Sequence, residues 1–301
     1  MTPETTPYDD ELRAAGLDPA AIRAQIAAAL AEDLPGGDVT SESTIAPDAQ
    51  GSAVFAAREA GVVAGLGVAA LVFHEVMGDT VAITDRVADG TRVAPGDVVM
   101  RVSGPTRGLL TAERTALNYA SHLSGVATAT AHWVEALAGT RARVLDTRKT
   151  LPTFRALQKY AVRCGGGVNH RFSLSDRAMV KDNHVVAAGG VVPAYEAVRA
   201  AHPDLRVEVE VTDLDQLREL LDVGCTEILL DNMDTATMAE AVRITAGRAT
   251  LEASGGLTLE RAREVAETGV DFISVGALTH SVRVFDLGLD LSSAVPSIGE
   301  G

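Results

Sequence analysis

The second half of the chain alternates short β-rich segments with amphipathic helical segments at a nearly constant interval. From residue 201 onward the segments LRVEVEV, EILLDNM, TLEASGG and DFISVGA are each separated by a turn and a helix-like stretch. Polar residues close these segments at Glu210, Asp231, Ser254 and Ser274, spaced 21, 23 and 20 residues apart. Each intervening helix is long enough to carry the chain back across a sheet, so successive strands are predicted to be parallel. The repeat favours a β/α barrel over a mixed sheet.

Two earlier segments extend this pattern toward the middle of the chain. RVLDT is followed by Arg148 and Lys149, and RAMVKDNH carries Lys181 near its end. The six strands are fewer than the eight of a closed barrel, so the predicted barrel is incomplete. Their polar ends are expected to face one mouth, which is where β/α barrels place catalysis.

The first part of the chain has a mixed pattern that predicts an α+β domain. AAIRAQIAAALAEDL reads as a helix, DGTRVAPGDVVMRVSG as a hairpin, and ERTALNYASHLSGVATATAHWVEALAG as a long amphipathic helix. With 301 residues, 47% hydrophobic but only 4% aromatic, the composition is typical of the α/β class and long enough for two domains. The apolar stretch VRVFDLGLDL near the end is expected to pack back on the fold.

One segment imitates a dinucleotide-binding fingerprint. GLGVAA matches G-x-G-x-x-A, and Asp85 lies 20 residues after Gly65. However, the hairpin signal follows it and no further βαβ unit does, so a packing role is the favoured interpretation.

Overall charge and cysteine usage exclude several classes of protein. A net charge of −15 argues against nucleic acid or acidic membranes as partners. The chain has no long uncharged apolar run, and MTPETTPYDDE lacks the features of a signal peptide, so a cytoplasmic protein is expected. Cys164 and Cys225 lie in no metal-binding spacing and are interpreted as reduced and structural.

Basic residues are concentrated in one segment. Residues 141–184 contain ten Lys or Arg against three Asp or Glu, a net +7, while the rest of the chain carries −22. All three lysines of the chain, Lys149, Lys159 and Lys181, lie in that segment. Because a compact ammonium and a planar guanidinium are not interchangeable, we interpret the cluster as an anion-binding site. Lys159, on a predicted helix, is the weakest candidate.

The residues alone suggest complementary halves of a site. Arg148 and Arg171 suit bidentate contacts with carboxylates, whereas Lys149 and Lys181 suit phosphate oxygens. Glu210 and Asp231 suit Mg²⁺ bound through water or a cationic sugar, or else serve as counter-ions for the lysines. The loops at 254–256 and 274–276 would expose backbone N–H groups to phosphate. Together these features indicate a phosphorylated sugar reacting beside a carboxylated partner.

The chain resembles a known family along most of its length. EDLPGGDVT, ERTALNYASHLSGVAT, DTRKTLP, GGGVNHR, VKDNH, EVEV, LLDN, EASGG and ISVGALTHS are similar to motifs of quinolinate phosphoribosyltransferases, which have the type II phosphoribosyltransferase fold. The resemblance implies that quinolinate and 5-phosphoribosyl pyrophosphate give nicotinate mononucleotide, pyrophosphate and carbon dioxide with Mg²⁺, in de novo NAD biosynthesis. It also implies an N-terminal α/β sandwich domain at 1–118, joined by the tail 282–301, and an open β/α barrel at 119–281.

The resemblance further implies a role for each matching residue. The quinolinate carboxylates would be held by Arg148, His170 and Arg171, with Arg114 from the partner subunit of a homodimer and Thr147 lining the pocket. Lys149 and Lys181 would neutralise charge near the reacting centre, and Glu210 and Asp231 would contact the ribose hydroxyls and the hydrated metal. The residues expected around the 5-phosphate are Ser254, Gly255, Gly256, Ser274, Val275, Gly276 and His280.

Three other functions stay open at the level of sequence. A phosphoribosyltransferase of the same fold could act on another carboxylated heterocycle. A strand-end lysine could form a Schiff base, as in barrel aldolases, although lysines beside several arginines are more typical of anion binders. A non-catalytic sensor of anionic metabolites would explain the cations but not Glu210 and Asp231.

Overall fold

A computed structural model describes residues 7–292 of the chain, and the statements below concern those residues. The first six residues, and the part of the predicted tail from 293 onward, lie outside the described residues. The strands are β1 (Gln50–Ala57), β2 (Gly61–Val62), β3 (Ala82–Thr84), β4 (Arg92–Val93), β5 (Val98–Pro105), β6 (Arg143–Leu145), β7 (Ala178–Val180), β8 (Val207–Val211), β9 (Glu227–Asp231), β10 (Thr250–Ser254), β11 (Phe272–Ser274) and β12 (Leu287–Ser292). The helices are α1 (Pro7–Ala14), α2 (Pro19–Asp33), α3 (Val39–Thr44), α4 (Leu66–Met77), α5 (Thr106–Ala136), α6 (Arg155–Cys164), α7 (Asp182–Ala188), α8 (Val191–Ala201), α9 (Leu214–Asp222), α10 (Thr235–Thr245), α11 (Ala262–Glu267) and α12 (Ala277–His280), with 3₁₀ turns at Gly78–Thr80 and Leu259–Arg261.

The predicted barrel strands form one six-stranded sheet in the order β6-β11-β10-β9-β8-β7. Every neighbouring pair in this sheet is parallel. The outer strands β6 and β7 are not paired with each other, so the sheet does not close. The expected α/β class with an open barrel is therefore confirmed.

The helices that follow these strands have the capping and burial patterns of crossover helices. Asp213 begins α9 by accepting hydrogen bonds from the N–H groups of the second and third residues after it. Asp234 caps α10 by accepting one hydrogen bond, from the N–H group of Thr237. On α9 the buried residues are Leu217, Leu220 and Leu221, whose spacing forms one apolar face. Each helix therefore returns the chain to the next parallel strand, so every strand ends at the same edge.

A second sheet has four strands in the order β12-β1-β5-β3. Its pairs are antiparallel, and the chain end enters it because β12 pairs with β1, with Leu289 opposite Phe55. The hairpin predicted for DGTRVAPGDVVMRVSG is wrong. A turn does join β4 and β5, but β4 pairs with β2 and β5 pairs with β1 and β3. The turn residues specify the reversal, whereas the pairing is decided by strands distant in sequence.

The GLGVAA segment has the packing role that the sequence favours, and it does not form a dinucleotide-binding turn. Gly65 precedes α4 with φ of 82°, and a Cβ at this position would collide with the side chain of Leu123. Asp89 accepts hydrogen bonds from the N–H groups of Gly65 (2.8 Å) and Leu66 (3.0 Å), which caps the start of the helix. Asp85 pairs instead with Arg101 on the surface.

The chain divides into two compact units whose bounds differ from the predicted domains. The first contains residues up to 128, residues 156–165 and the chain from 282, and the second contains 129–155 and 166–281. Both the observed division, at 128/129, and the predicted boundary, at 118/119, fall within α5, which runs without interruption from Thr106 to Ala136. Residues 156–165, most of α6, belong to the first unit although they lie between barrel strands in the sequence.

Two further expectations concern membrane-spanning helices and the two cysteines. Between residues 7 and 292 there is no helix with both the length and the apolar character needed to cross a membrane. Cys164 and Cys225 are free thiols, and burial raises the pKa of each to about 11, so both are weak nucleophiles at neutral pH. This agrees with a structural role.

Candidate active site

The carboxyl ends of the six parallel strands surround a cavity of about 690 Å³ in the second unit. This edge is where β/α barrels place their active sites, and the volume suits small-molecule ligands. All but one of the predicted site residues line it: Thr147, Arg148, Lys149, His170, Arg171, Lys181, Glu210, Asp231, Ser254, Gly255, Gly256, Ser274, Val275, Gly276 and His280. The exception is Arg114, which lies exposed on α5 in the first unit.

The cationic part of the cavity contains four side chains from loops at the strand ends. Arg148 and Lys149 follow β6, Lys181 follows β7, and Arg171 comes from the segment between them. The Nε atom of Arg148 is buried without a hydrogen-bond partner among the described residues. Burial, and then the positive charge of Arg148, lower the pKa of Arg171. Because two neighbouring guanidinium groups repel each other, an anion bound between them would be strongly favoured.

Two carboxylates lie on the neighbouring strands β8 and β9. Glu210 Oε2 accepts a hydrogen bond from Lys181 Nζ at 2.9 Å, so it does act in part as a counter-ion. Asp231 Oδ2 accepts one from Asn232 Nδ2 at 2.8 Å, and Asp231 makes no ion pair with the described residues. The second oxygen of each carboxylate stays available. A pair of oxygen donors in an open cavity fits the preference of Mg²⁺ for carboxylates with several retained waters.

Close packing explains the glycines at the ends of β10 and β11. A Cβ at Gly255 would fall within 3.0 Å of three side-chain atoms of Asn232, and the φ of Gly255 is +97°. A Cβ at Gly276 would lie 3.0 Å from both His280 Nε2 and Lys149 Cδ. Both loops therefore need glycine so that side chains from other loops can approach the backbone.

Sequence reasoning missed several residues of the cavity wall: Met179, Leu229, Asn232, Glu252, Leu257 and Ala277. Two of them carried a usable signal. Glu252 precedes Ser254 by two positions on β10, and residues two apart on a strand share a face. Asn232 directly follows Asp231 and adopts a left-handed φ of 54°, which asparagine tolerates better than most residues.

A buried polar cluster adjoins the cationic part of the cavity. His170, Glu208 and Glu252 are 7%, 1% and 3% exposed. His170 Nε2 lies 2.9 Å from Glu208 Oε2 and 3.3 Å from Glu252 Oε2, and Arg177 Nη2 donates to Glu208 Oε1 at 2.9 Å. Burial lowers the pKa of His170, but the hydrogen bonds and charges of the two glutamates outweigh it and raise that pKa to about 9. Burial, and then the charge of Glu252, raise the pKa of Glu208.

The segment that carries His170 and Arg171 is fixed to β6 by Asp146. This carboxylate is fully buried, and its Oδ1 accepts the N–H of His170 at 2.8 Å. Its Oδ2 accepts the side-chain amide of Asn169 at 2.5 Å. The NHR part of the GGGVNHR motif therefore has a defined position beside the strand ends.

The three lysines of the basic segment separate in the structure. Lys149 and Lys181 line the cavity, whereas Lys159 lies on α6 in the first unit, 3% exposed, and does not line it. The helical position of Lys159 is confirmed. Its burial shows that it is not a solvated surface charge.

Comparison with known families accounts for nearly the whole chain. A model described as the quinolinate phosphoribosyl transferase N-terminal domain matches residues 38–124, and the corresponding C-terminal domain model matches residues 126–290. Nicotinate-nucleotide pyrophosphorylase (carboxylating) of Mycobacterium leprae is 52% identical over 276 residues, covering 90% of this chain and 97% of that protein. A probable nicotinate-nucleotide pyrophosphorylase (carboxylating) of Bacillus subtilis is 38% identical over 270 residues, covering 89% of this chain and 93% of that protein.

Solved structures agree with the sequence comparisons. NadC from Streptococcus pyogenes superposes with a TM-score of 0.88 at 41% identity, covering 92% of this chain and 98% of that one. The nicotinate-nucleotide pyrophosphorylase from Francisella tularensis gives a TM-score of 0.87 at 36% identity, covering 96% and 98%. On the evidence of both domain models, these relatives and the shared fold, the chain belongs to the quinolinate phosphoribosyltransferase family.

Proposed function

We propose that the chain is the carboxylating nicotinate-nucleotide pyrophosphorylase of its organism. It joins quinolinate to 5-phosphoribosyl pyrophosphate, and the products are nicotinate mononucleotide, pyrophosphate and carbon dioxide, on the de novo route to NAD. One observation carries the proposal. A single cavity at the strand ends combines two arginines and two lysines with the carboxylates Glu210 and Asp231, as a dianionic acid and a phosphorylated sugar require.

The arginines form the part of the cavity suited to quinolinate. Its two adjacent carboxylates present four oxygens, and the planar forks of Arg148 and Arg171 can each donate hydrogen bonds to two of them. Arg148 lines the cavity, and its guanidinium is the group that would make such a contact. Thr147 lines the same wall. We further propose a homodimer in which the partner subunit supplies Arg114, whose guanidinium would add a third contact.

The phosphoribosyl substrate fits the remaining strand ends. Ser254, Gly255 and Gly256, together with the loop from Ser274, expose hydroxyl and backbone N–H groups that suit the 5-phosphate. Glu210 and Asp231 are then positioned for the ribose hydroxyls and for hydrated Mg²⁺. When bound, this ion would neutralise charge on the pyrophosphate leaving group.

Positioning and electrostatics account for the chemistry without a nucleophilic side chain. The bond from ribose C1 to pyrophosphate breaks while the quinolinate ring nitrogen bonds to C1 from the opposite face. Positive charge that develops on the ribose is stabilised by Glu210 and Asp231. When the C2 carboxylate leaves as carbon dioxide, the electron pair of the broken bond stays on C2, where the adjacent positively charged pyridinium nitrogen stabilises it, and this pair then bonds a proton at C2. Lys149 and Lys181 balance carboxylate and phosphate charge around these steps.

The decisive assay measures carbon dioxide released from quinolinate labelled in the 2-carboxylate, with 5-phosphoribosyl pyrophosphate and Mg²⁺. Release should require both substrates, should stop with a chelator and should return with added Mg²⁺. Arg148→Ala should abolish it, whereas Arg143→Ala, an exposed arginine on β6 outside the cavity, should not. Turnover of unlabelled nicotinate in place of quinolinate, or release without the phosphoribosyl donor, would reject the proposed function.

The Schiff-base alternative has a separate test. The Nζ atom of Lys181 is paired with Glu210 Oε2 at 2.9 Å, so a Schiff base at this nitrogen would have to give up the ion pair. Borohydride treatment with either substrate should therefore leave the mass of the protein unchanged. A stable adduct on Lys149 or Lys181 would favour the aldolase interpretation.

We also propose that the enzyme acts in the cytoplasm. Its substrates and products are small, charged and water-soluble, and the net charge of −15 is unsuited to an acidic membrane surface. Fractionation of cells that produce the untagged chain would test this. Recovery in the membrane fraction would contradict it.

A further inference from the structure

Arg155 connects the two loops that carry the arginines of the cavity. It is the first residue of α6, and it belongs to the second unit together with both loops. Its Nη2 donates to the backbone carbonyl of Arg148 at 3.3 Å, and its Nη1 donates to that of Phe172, the residue after Arg171, at 3.0 Å. Its Nε donates to Thr150 Oγ1 at 3.1 Å. One guanidinium therefore ties the loop after β6 to the segment that carries Arg171.

Arg171 lies between two anchored points of its segment. Before it, Asp146 holds the preceding residue through its backbone N–H at 2.8 Å. After it, Phe172 is bound through its N–H to Asp176 at 2.6 Å and through its carbonyl to Arg155 at 3.0 Å. The main chain is therefore fixed on both sides of this arginine, and the later anchor depends on Arg155.

Neither helix stability nor direct lining of the cavity explains an arginine at position 155. A positive charge at the N-terminus of a helix is opposed by the helix dipole, which favours cations at the other end. Arg155 makes no ion pair with the carboxylates of the described residues, and it does not line the cavity. What its guanidinium provides is a planar set of donors, in which each of the nitrogens reaches a different acceptor.

We propose that Arg155 is a positioning residue that sets the separation between Arg148 and Arg171, and thereby the affinity of the site for two adjacent carboxylates. The inference rests on the proposed function only in naming quinolinate as the dianion held there. After burial, the charge of Arg148 is the next cause that lowers the pKa of Arg171, so the two guanidinium groups repel each other before an anion binds. The bonds from Arg155 hold the loops against this repulsion. The anion then meets side chains that are already close, which reduces the loss of conformational freedom on binding.

Two substitutions separate the geometry of Arg155 from its charge. Arg155→Lys keeps the positive charge, but a single ammonium cannot bridge acceptors on both loops, whereas Arg155→Ala removes charge and bridge together. In calorimetry both variants should raise the dissociation constant of quinolinate about 10-fold, because either one leaves the two arginines without their bridge. A dissociation constant for Arg155→Lys within about 2-fold of the wild type would mean that only the charge matters, and would overturn the proposal. Arg143→Lys, the same change at an exposed arginine outside the cavity, is the matched control and should have no effect.

A double-mutant cycle tests whether Arg155 acts through Arg171. Arg155→Lys should weaken quinolinate binding less than about 2-fold when position 171 is already lysine, since the group that it positions is gone. Equal losses in both backgrounds would mean that Arg155 acts on the ligand independently, and would overturn the positioning role. In the single variant, the kcat/KM for 5-phosphoribosyl pyrophosphate at saturating quinolinate should fall less than about 3-fold, because the bound dianion then draws the two arginines together. A comparable loss for both substrates would indicate general damage to the fold and would also count against the proposal.

Hydrogen exchange followed by mass spectrometry tests the bridge without any ligand. We expect Arg155→Lys to increase exchange about 5-fold or more in peptides covering residues 147–151 and 171–175, and Arg143→Lys to leave both peptides unchanged. Unchanged exchange in either loop of Arg155→Lys would refute the bridge. If the wild type bound no quinolinate at all, the proposed function would fail, while the exchange rates would still decide whether Arg155 holds the two loops.

Discussion

Gly255→Ala isolates the packing between Gly255 and Asn232 that orients Asp231. The glycine has a φ of +97°, and a Cβ there would fall within 3.0 Å of three atoms of the Asn232 side chain. To make room, Asn232 must rotate and give up the hydrogen bond from its Nδ2 to Asp231 Oδ2. A hydrogen bond to a charged group contributes about 1.5–3 kcal/mol, which corresponds to about 10- to 100-fold in binding or rate.

The assay is the kcat/KM for 5-phosphoribosyl pyrophosphate at saturating quinolinate, because Asp231 is assigned to the ribose and the hydrated metal. Backbone strain alone costs about 1–2 kcal/mol when a residue other than glycine adopts a left-handed φ, and it would lower the thermal midpoint without affecting the site. Gly247→Ala supplies this control, since Gly247 has a φ of +78° and nothing within 4 Å of the added Cβ. Its kcat/KM should change less than about 2-fold. If both variants had the same kcat/KM, the proposed link from Gly255 through Asn232 to Asp231 would be refuted.

Three further outcomes follow from the remaining side chains. Arg148→Lys should raise the dissociation constant of quinolinate about 10-fold or more and that of 5-phosphoribosyl pyrophosphate much less, because only the planar fork pairs with two carboxylate oxygens; equal losses in calorimetry would sink this assignment. Mixing inactive Arg114→Ala with inactive Lys181→Ala subunits should restore part of the activity if sites are shared, and exchanged heterodimers without activity would count against a shared site. Burial would raise the pKa of Asp176, but hydrogen bonds from the N–H groups of Phe172 and Ser173 lower that pKa to about 2. The ionised carboxylate therefore stabilises the fold above the usual carboxyl pKa, and this stabilisation disappears as the pH falls toward 2. Denaturant unfolding of Asp176→Asn should therefore differ from wild type at pH 6 and converge with it near pH 2, and a constant difference across this range would contradict the reasoning.

The parts of the fold that sequence reasoning predicted correctly are those governed by local periodicity. The spacing of Glu210, Asp231, Ser254 and Ser274 predicts four parallel strands because one crossover helix needs about the same number of residues each time. These residues close their strands and line one cavity. The composition of the basic segment likewise predicts which loops bring cations to that edge.

The errors arose where the partner of a segment is distant in sequence. The glycine turn between β4 and β5 correctly predicts a reversal, but β4 pairs with β2 and β5 with β1. Residues 155–164 form the predicted helix, and only tertiary packing groups most of it with the first unit. The burial of Lys159 could not be predicted for the same reason, since a lysine on an amphipathic helix is most often solvated.

The buried cluster beside the cavity was missed because charged residues within a strand are not expected to be buried. The segment VEVEV contains Glu208 and Glu210, and residues two apart on a strand point to the same side of the sheet. Glu210 reaches the cavity, whereas Glu208 lies one level lower, 1% exposed, between His170 and Arg177. The alternation that predicts a binding residue therefore also predicts a residue beneath it that can hold the wall in position.

A charged lower level is stable only while its charges stay paired. The guanidinium of Arg177 contacts Glu208 at 2.9 Å and Glu227 at 2.5 Å, and these two carboxylates offset the cost of burying it. Leucine at position 208 would remove one partner of this guanidinium and would leave His170 Nε2 without its contact at 2.9 Å to Glu208 Oε2. Glutamine keeps the acceptor and loses only the charge. The loss of stability in denaturant unfolding should therefore be larger for leucine than for glutamine, and equal losses would mean that the charge of Glu208, and not its hydrogen-bonding geometry, matters to this cluster.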